Sequence, residues 1–173
     1  MKLRPKFLTA EMASMAVSHV WMTMVRPHDY VAFRTKREGC HIVVMVPEME
    51  VADEPDILDT YPNYPVLPVI LLERSFKREK WTANYAEVAR CEALQLWQDR
   101  NDGRTDIMPH LLYSGDCPFW GGVKREGIVV ACSGVEPWFD RMIAGIIAEM
   151  LIAGSYHAWM KSEDKKEDLD KLS

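Results

Sequence analysis

WGGVKREGIVVACSG, Trp120 to Gly134, is the stretch whose reading decides the fold. Two glycines precede a basic tip, Lys124-Arg125, and Gly127 marks a turn. The apolar run Ile128 to Cys132 reads as a buried strand that closes on Ser133-Gly134. Glu136-Pro137 follows, and proline suits the first turn of a helix, where its missing N–H would have no partner. A hairpin therefore feeds a strand-to-helix junction. Such a junction can present free backbone N–H groups to an anion.

Beyond the junction, helical spacing of Phe139, Met142, Ile143, Ile146, Ile147, Met150 and Leu151 predicts the longest helix, from Pro137 to about Met160. Upstream, Thr82 to Arg100 reads as a helix stopped by Asn101-Asp102-Gly103. Its apolar face carries Tyr85, Val88, Ala89, Ala93, Leu96 and Trp97, and only Glu92 breaks the pattern. Asp106 to Tyr113 reads as a short helix or turn. His41 to Val46 and Val66 to Glu73 read as strands, the second placed at an edge or bulge by Pro68. Pro47 to Pro65 between them is acidic and proline-rich, as in a surface excursion. Thr9 to Val25 reads as a helix capped by Thr9 and ended by Arg26-Pro27. It is apolar on two sides, through Met12, Met15, Val17, Val20, Trp21 and Met24. The order predicts an α+β fold with an antiparallel sheet covered mainly on one face. Residues 1–160 form a single domain in this reading, and 161–173 a charged, flexible tail.

Composition narrows the function. The chain has 173 residues, 48% hydrophobic and 27% charged, enough to bury a core. A net charge of −5 argues against a general nucleic-acid binder. The four cysteines, Cys40, Cys91, Cys117 and Cys132, form no CxxC pair and read as free thiols of a reducing cytoplasm. The apolar run Met142 to Gly154 is too short to span a bilayer and contains Glu149. The expectation is a cytoplasmic protein with no signal peptide and no membrane partner.

The helix YAEVARCEALQLW, the glycine pair Gly121-Gly122-Val123 with its turn glycine Gly127, and the strand closing on Ser133-Gly134 together resemble the GlcG/HbpS-like family. That family includes the C-terminal domain of PduO-type proteins. The resemblance covers roughly Leu8 to Ala158. It implies a profilin-like α+β fold, frequent oligomerisation, and haem or corrinoid binding in some members. The chain departs from the family in carrying Lys124 and Arg125 after Val123, where the family has Pro and Ile, and Glu92 before Ala93, where it has Lys.

The chemistry-bearing residues form no catalytic set. Among the five histidines, His19 is the haem-ligand candidate, because Met12, Met15 and Met22 lie one or two turns away and could supply a second ligand. Spacing gives no zinc site from Cys40-His41 or Asp116-Cys117. Cys132 lies in an apolar strand, and Cys117 sits beside Asp116, which discourages a thiolate. Ser133 lacks the glycines of a nucleophile elbow and reads as a turn residue. What remains is a pocket. Tyr113, Phe119 and Trp120 flank Gly121-Gly122, and Ser133-Gly134 should lie close by. Aromatic walls and helix N-terminal amides suit a flat, anionic small molecule. The reading is a non-catalytic, homo-oligomeric small-molecule-binding domain with no metal site, its cofactor haem or another tetrapyrrole. The alternative is a homo-oligomeric scaffold with no cofactor.

Overall fold

The computed structural model describes residues 2–26, 28–50, 65–103 and 108–165. The fold is α+β: a five-stranded antiparallel sheet flanked by helices. Strand β2 (Cys40–Glu50) is its spine. One edge of β2 pairs with β3 (Val66–Phe76), from Cys40 opposite Phe76 to Met49 opposite Val66. The other edge pairs with β5 (Ile128–Ser133) and, further along, with the short β1 (Lys2–Leu3). Strand β4 (Gly122–Arg125) joins β5 through a hairpin. Glu126 and Gly127 at its tip have φ of +47° and +83°. Positive φ at both positions is the two-residue turn whose twist matches paired strands.

The apolar run CHIVVMV has no polar alternation, and a strand of that kind is buried on both faces. Ile42, Val44, Val46, Val130 and Cys132 face α1 (Ala10–Val20) and α4 (Pro137–Met160). Val43, Met45, Val129 and Ala131 face Ala89, Ala93 and Leu96 of α3 (Tyr85–Trp97). The expectation of a sheet covered mainly on one face is thus corrected: α3 covers the second face.

Element ends differ from the sequence reading for local reasons. The Thr9 hydroxyl accepts from Met12 N at 3.2 Å and starts α1. After Val20 the helix widens into a π turn, Trp21–Val25, where the Thr23 hydroxyl donates to the His19 carbonyl at 2.8 Å. A short helix, α2 (Tyr30–Thr35), was not anticipated. Strand β2 continues past Val46 to Glu50, with Pro47 opposite Pro68. Glu48 is held there by Lys2 at 3.0 Å and Arg4 at 2.6 Å. The expected excursion therefore cannot begin at Pro47; its stretch 51–64 lies outside the described residues. Helix α3 starts at Tyr85 rather than Thr82, because Asn84 supplies the cap. Of the short helix expected over Asp106 to Tyr113, a 3-10 turn at Pro109–Leu111 is present, and 104–107 lie outside the described residues.

Helix α4 spans 24 residues. By length and composition it could cross a membrane, whereas the apolar run read from sequence is only its middle. In this fold Ile143, Ala144, Ile147, Ala148 and Leu151 of α4 are fully buried. At the far end Lys6 pairs with Asp164 at 2.6 Å and Lys165 sits 4.4 Å over the Trp159 ring, while 166–173 of the expected tail lie outside the described residues.

Candidate functional site

The loop entering β4 is pinned to the end of α3, and this sets the rim of a cavity. Buried Gln95 donates to the Cys117 carbonyl at 3.0 Å. Buried Asn101 donates to Gln95 Oε1 at 3.1 Å and to the Phe119 carbonyl at 3.2 Å. Arg100 forms an ion pair with Asp116, donates to the Leu111 carbonyl at 3.1 Å, and lies 3.9 Å from the Tyr113 ring centroid. Asp116 also accepts from Tyr113 N at 2.7 Å. Buried amides and a buried guanidinium are costly unless every donor finds an acceptor. Here loop carbonyls and Asp116 serve as those acceptors, so the loop is fixed wherever the helix end goes.

The cavity, about 330 Å³, opens between α3, the end of β5 and the first turn of α4. Tyr85 and Val88 of α3, Phe119 and Trp120 of the pinned loop, and Pro137 make its apolar walls. Thr82, Ser133, Gly134, Glu136 and Arg37 contribute polar groups. Tyr85 shares a hydrogen bond of 2.8 Å with the Thr82 hydroxyl. Arg37 donates to the Val135 carbonyl at 2.6 Å and lies 3.4 Å from Glu136. Glu92 and Asp140 also line the cavity and are its most buried charged residues, 2% and 5% exposed.

Both side chains come up against Gly121. A Cβ built there would lie 2.8 Å from Asp140 Cβ, 3.5 Å from Glu92 Oε2 and only 2.6 Å from the Cys132 carbonyl. Asp140 Oδ1 accepts from Val135 N at 3.2 Å and from the Cys132 thiol at 3.3 Å. Glu92 Oε2 is buried with no hydrogen-bond partner. Burial pushes Asp140 up to about 7, against the pull of its amide and thiol donors. Burial, and secondarily the neighbouring Asp140, raises Glu92 well above the usual carboxylate range. Burial thus favours the protonated form of both carboxyls.

The sequence-derived site residues divide. Phe119, Trp120, Ser133 and Gly134 line the cavity, and Gly121 lies beneath its floor. Tyr113 is not there: it is 64% exposed and stacked on Arg100. Gly122 is not there either, because it packs into the core against Leu96 and Val130. Of the junction amides expected to meet an external anion, Val135 N is taken by Asp140, one turn into α4. His19 lies elsewhere, exposed in an open groove of about 580 Å³ with Met12, Met15, Met22 and Met150. Both candidate thiols are pushed up by burial, Cys117 to about 12 and Cys132 well above its ordinary value.

Sequence reasoning missed Glu92 and Asp140 as site residues. Glu92 had left a trace as the single break in an apolar helix face. Asp140 had left none, because an acid in a first helical turn is ordinary. No family model, curated protein or solved structure matches this chain, so its chemistry rests on the geometry of the cavity itself.

Proposed function

We propose that this chain is a small-molecule-binding domain without catalytic activity, its ligand seated in the cavity between α3, β5 and α4. The observation that carries this reading is Glu92 Oε2, buried in the cavity lining with no partner. An orphaned buried acceptor costs free energy that a ligand donor would recover. Aromatic walls, a few convergent polar groups and a volume at the small end of ligand sites agree with it. Ligand-observed NMR with cationic, neutral and anionic aromatic fragments tests it on the unmodified chain. Binding is expected, and Ala83→Trp, at the mouth, should abolish it. No fragment bound, or binding unchanged by Ala83→Trp, overturns the proposal.

A second reading keeps the GlcG/HbpS-like resemblance and its tetrapyrrole. What favours it is the groove that gathers His19 with four methionines, a donor set suited to haem iron. Haemin titration should then give a shifted Soret band that His19→Ala removes. Under either reading the domain is proposed to be cytoplasmic and homo-oligomeric.

A further inference from the structure

Resting on the cavity reading, the geometry points to a compact organic cation as the ligand: an aromatic amine whose ammonium group sits between Glu92 and Asp140. Glu92 Oε2 has no donor, while Val135 N and the Cys132 thiol are directed at Asp140. The basic side chain of the cavity lining is Arg37, whose charge acts on Asp140 and not on Glu92. Arg37 lines the mouth, where it is engaged by the Val135 carbonyl and Glu136. An ammonium brings three donors and a positive charge to two buried carboxyls, one of which keeps an oxygen without a partner. An anion fits poorly beside two buried carboxyls, and Val135 N is already taken by Asp140.

The walls select the rest of the ligand. Tyr85, Phe119 and Trp120 offer apolar surface and π-faces, which attract both an aromatic body and a cation. A metal ion is a poorer occupant. Among the described residues no three His, Cys, Asp or Glu side chains converge, whereas hard cations take six or more oxygens. A cation also changes the protonation of the floor. It favours the ionised carboxyls, so binding should release protons and strengthen as they become easier to remove. The groups facing the pair are Tyr85 on α3, Cys117 on the pinned loop, Cys132 on β5, Glu136 just before α4 and Arg37 before β2.

Isothermal titration of the full chain with benzylamine, benzyl alcohol and benzoate, at about pH 5 and about pH 8, tests the proposal. Benzylamine should bind about tenfold tighter than benzyl alcohol at the higher pH, and benzoate weakest. Benzylamine affinity should rise from the lower to the higher pH, with proton release seen as a dependence of heat on buffer. Glu92→Gln should weaken benzylamine about tenfold while leaving benzyl alcohol unchanged. If that variant does not fold, the charge order and pH trend of the unmodified chain decide. Benzyl alcohol or benzoate binding as tightly as benzylamine overturns the cation and leaves the cavity reading standing. An affinity that does not rise with pH, or an undiminished Glu92→Gln, does the same. Failure of all three probes overturns both.

Discussion

At the scale of single residues, Glu92 and Asp140 set how stability depends on pH. Both are protonated more readily in the folded chain than in the unfolded one, because burial disfavours their charges. The folded state therefore binds more protons between the unfolded and folded pKa values, and stability falls as pH rises through that window. For Asp140 the window runs from the ordinary carboxylate range to about 7. A shift of that size corresponds to on the order of 4 kcal/mol. The expected outcome is a melting temperature lower at about pH 8 than at about pH 5. Glu92→Gln should raise it at the higher pH and change it little at the lower one, because the amide cannot ionise. Scanning calorimetry of both proteins at both pH values checks this, and an unchanged Glu92→Gln melting temperature at the higher pH would contradict it. The same substitution is expected to weaken ligand binding, the usual opposition between a stable core and a useful buried charge.

At the scale of elements, the hairpin works through close approach rather than unusual dihedrals at the glycine pair. A Cβ on Gly122 would meet Leu96 Cδ1 at 2.5 Å and the Val130 carbonyl at 2.7 Å. Neither atom can retreat freely, because Leu96 is 2% exposed and the carbonyl belongs to the β5 backbone. Gly122→Val should therefore cost about 3 kcal/mol through overpacking. That corresponds to a fall of on the order of 10 °C in melting temperature. Lys165→Ala, near the end of the described chain, serves as the control and should change it little. Equal melting curves for the two variants would show that β4 and α3 can move apart at no cost. The loop before β4 has a different anchor. Arg100→Ala would leave the 5%-exposed site without the charge that Asp116 faces, and broken buried pairs cost about 3 kcal/mol or more. Because that loop carries Phe119 and Trp120, fragment binding should weaken in the same variant.

At the scale of the whole molecule, only part of the apolar surface that the sequence pointed to on α1 stays exposed, Met15 among it. Val17 and Val20 of α1 and Ala144 and Ala148 of α4 are in the core. Trp21 stacks on Phe76 at 4.3 Å. Still exposed are Met15 and Met22, together with Tyr156 and Met160 of α4 and Val66, Leu67 and Ile70 of β3. Strand β3 pairs only with β2 among the described residues, so its outer edge is open to another strand. We propose a closed homo-oligomer, most simply a dimer of about 40 kDa, twice the 19.9 kDa chain. Light scattering behind a sizing column checks the mass at micromolar concentration; a single species at the chain mass removes the proposal.

The sequence alone determined the α+β class, the hairpin at Trp120 to Gly134 and the helix beginning at Pro137, because turn glycines, a helix-starting proline and an apolar strand are local signals. It also marked Phe119, Trp120, Ser133 and Gly134, since aromatic residues beside glycines at a strand end are readable without the fold. Tertiary structure decided the rest. Which face of the sheet α3 covers depends on the crossover from β3, and no residue of α3 states it. Tyr113 left the cavity because Arg100, thirteen places earlier in the chain, offered its guanidinium as a stacking partner. Above all, Glu92 and Asp140 lie 48 places apart on different helices, and only the packing of those helices around Gly121 brings the two carboxyls to one buried floor. A periodicity tells which side of a helix is apolar; it does not tell which buried charge will meet another, because that depends on distances fixed only when the layers close.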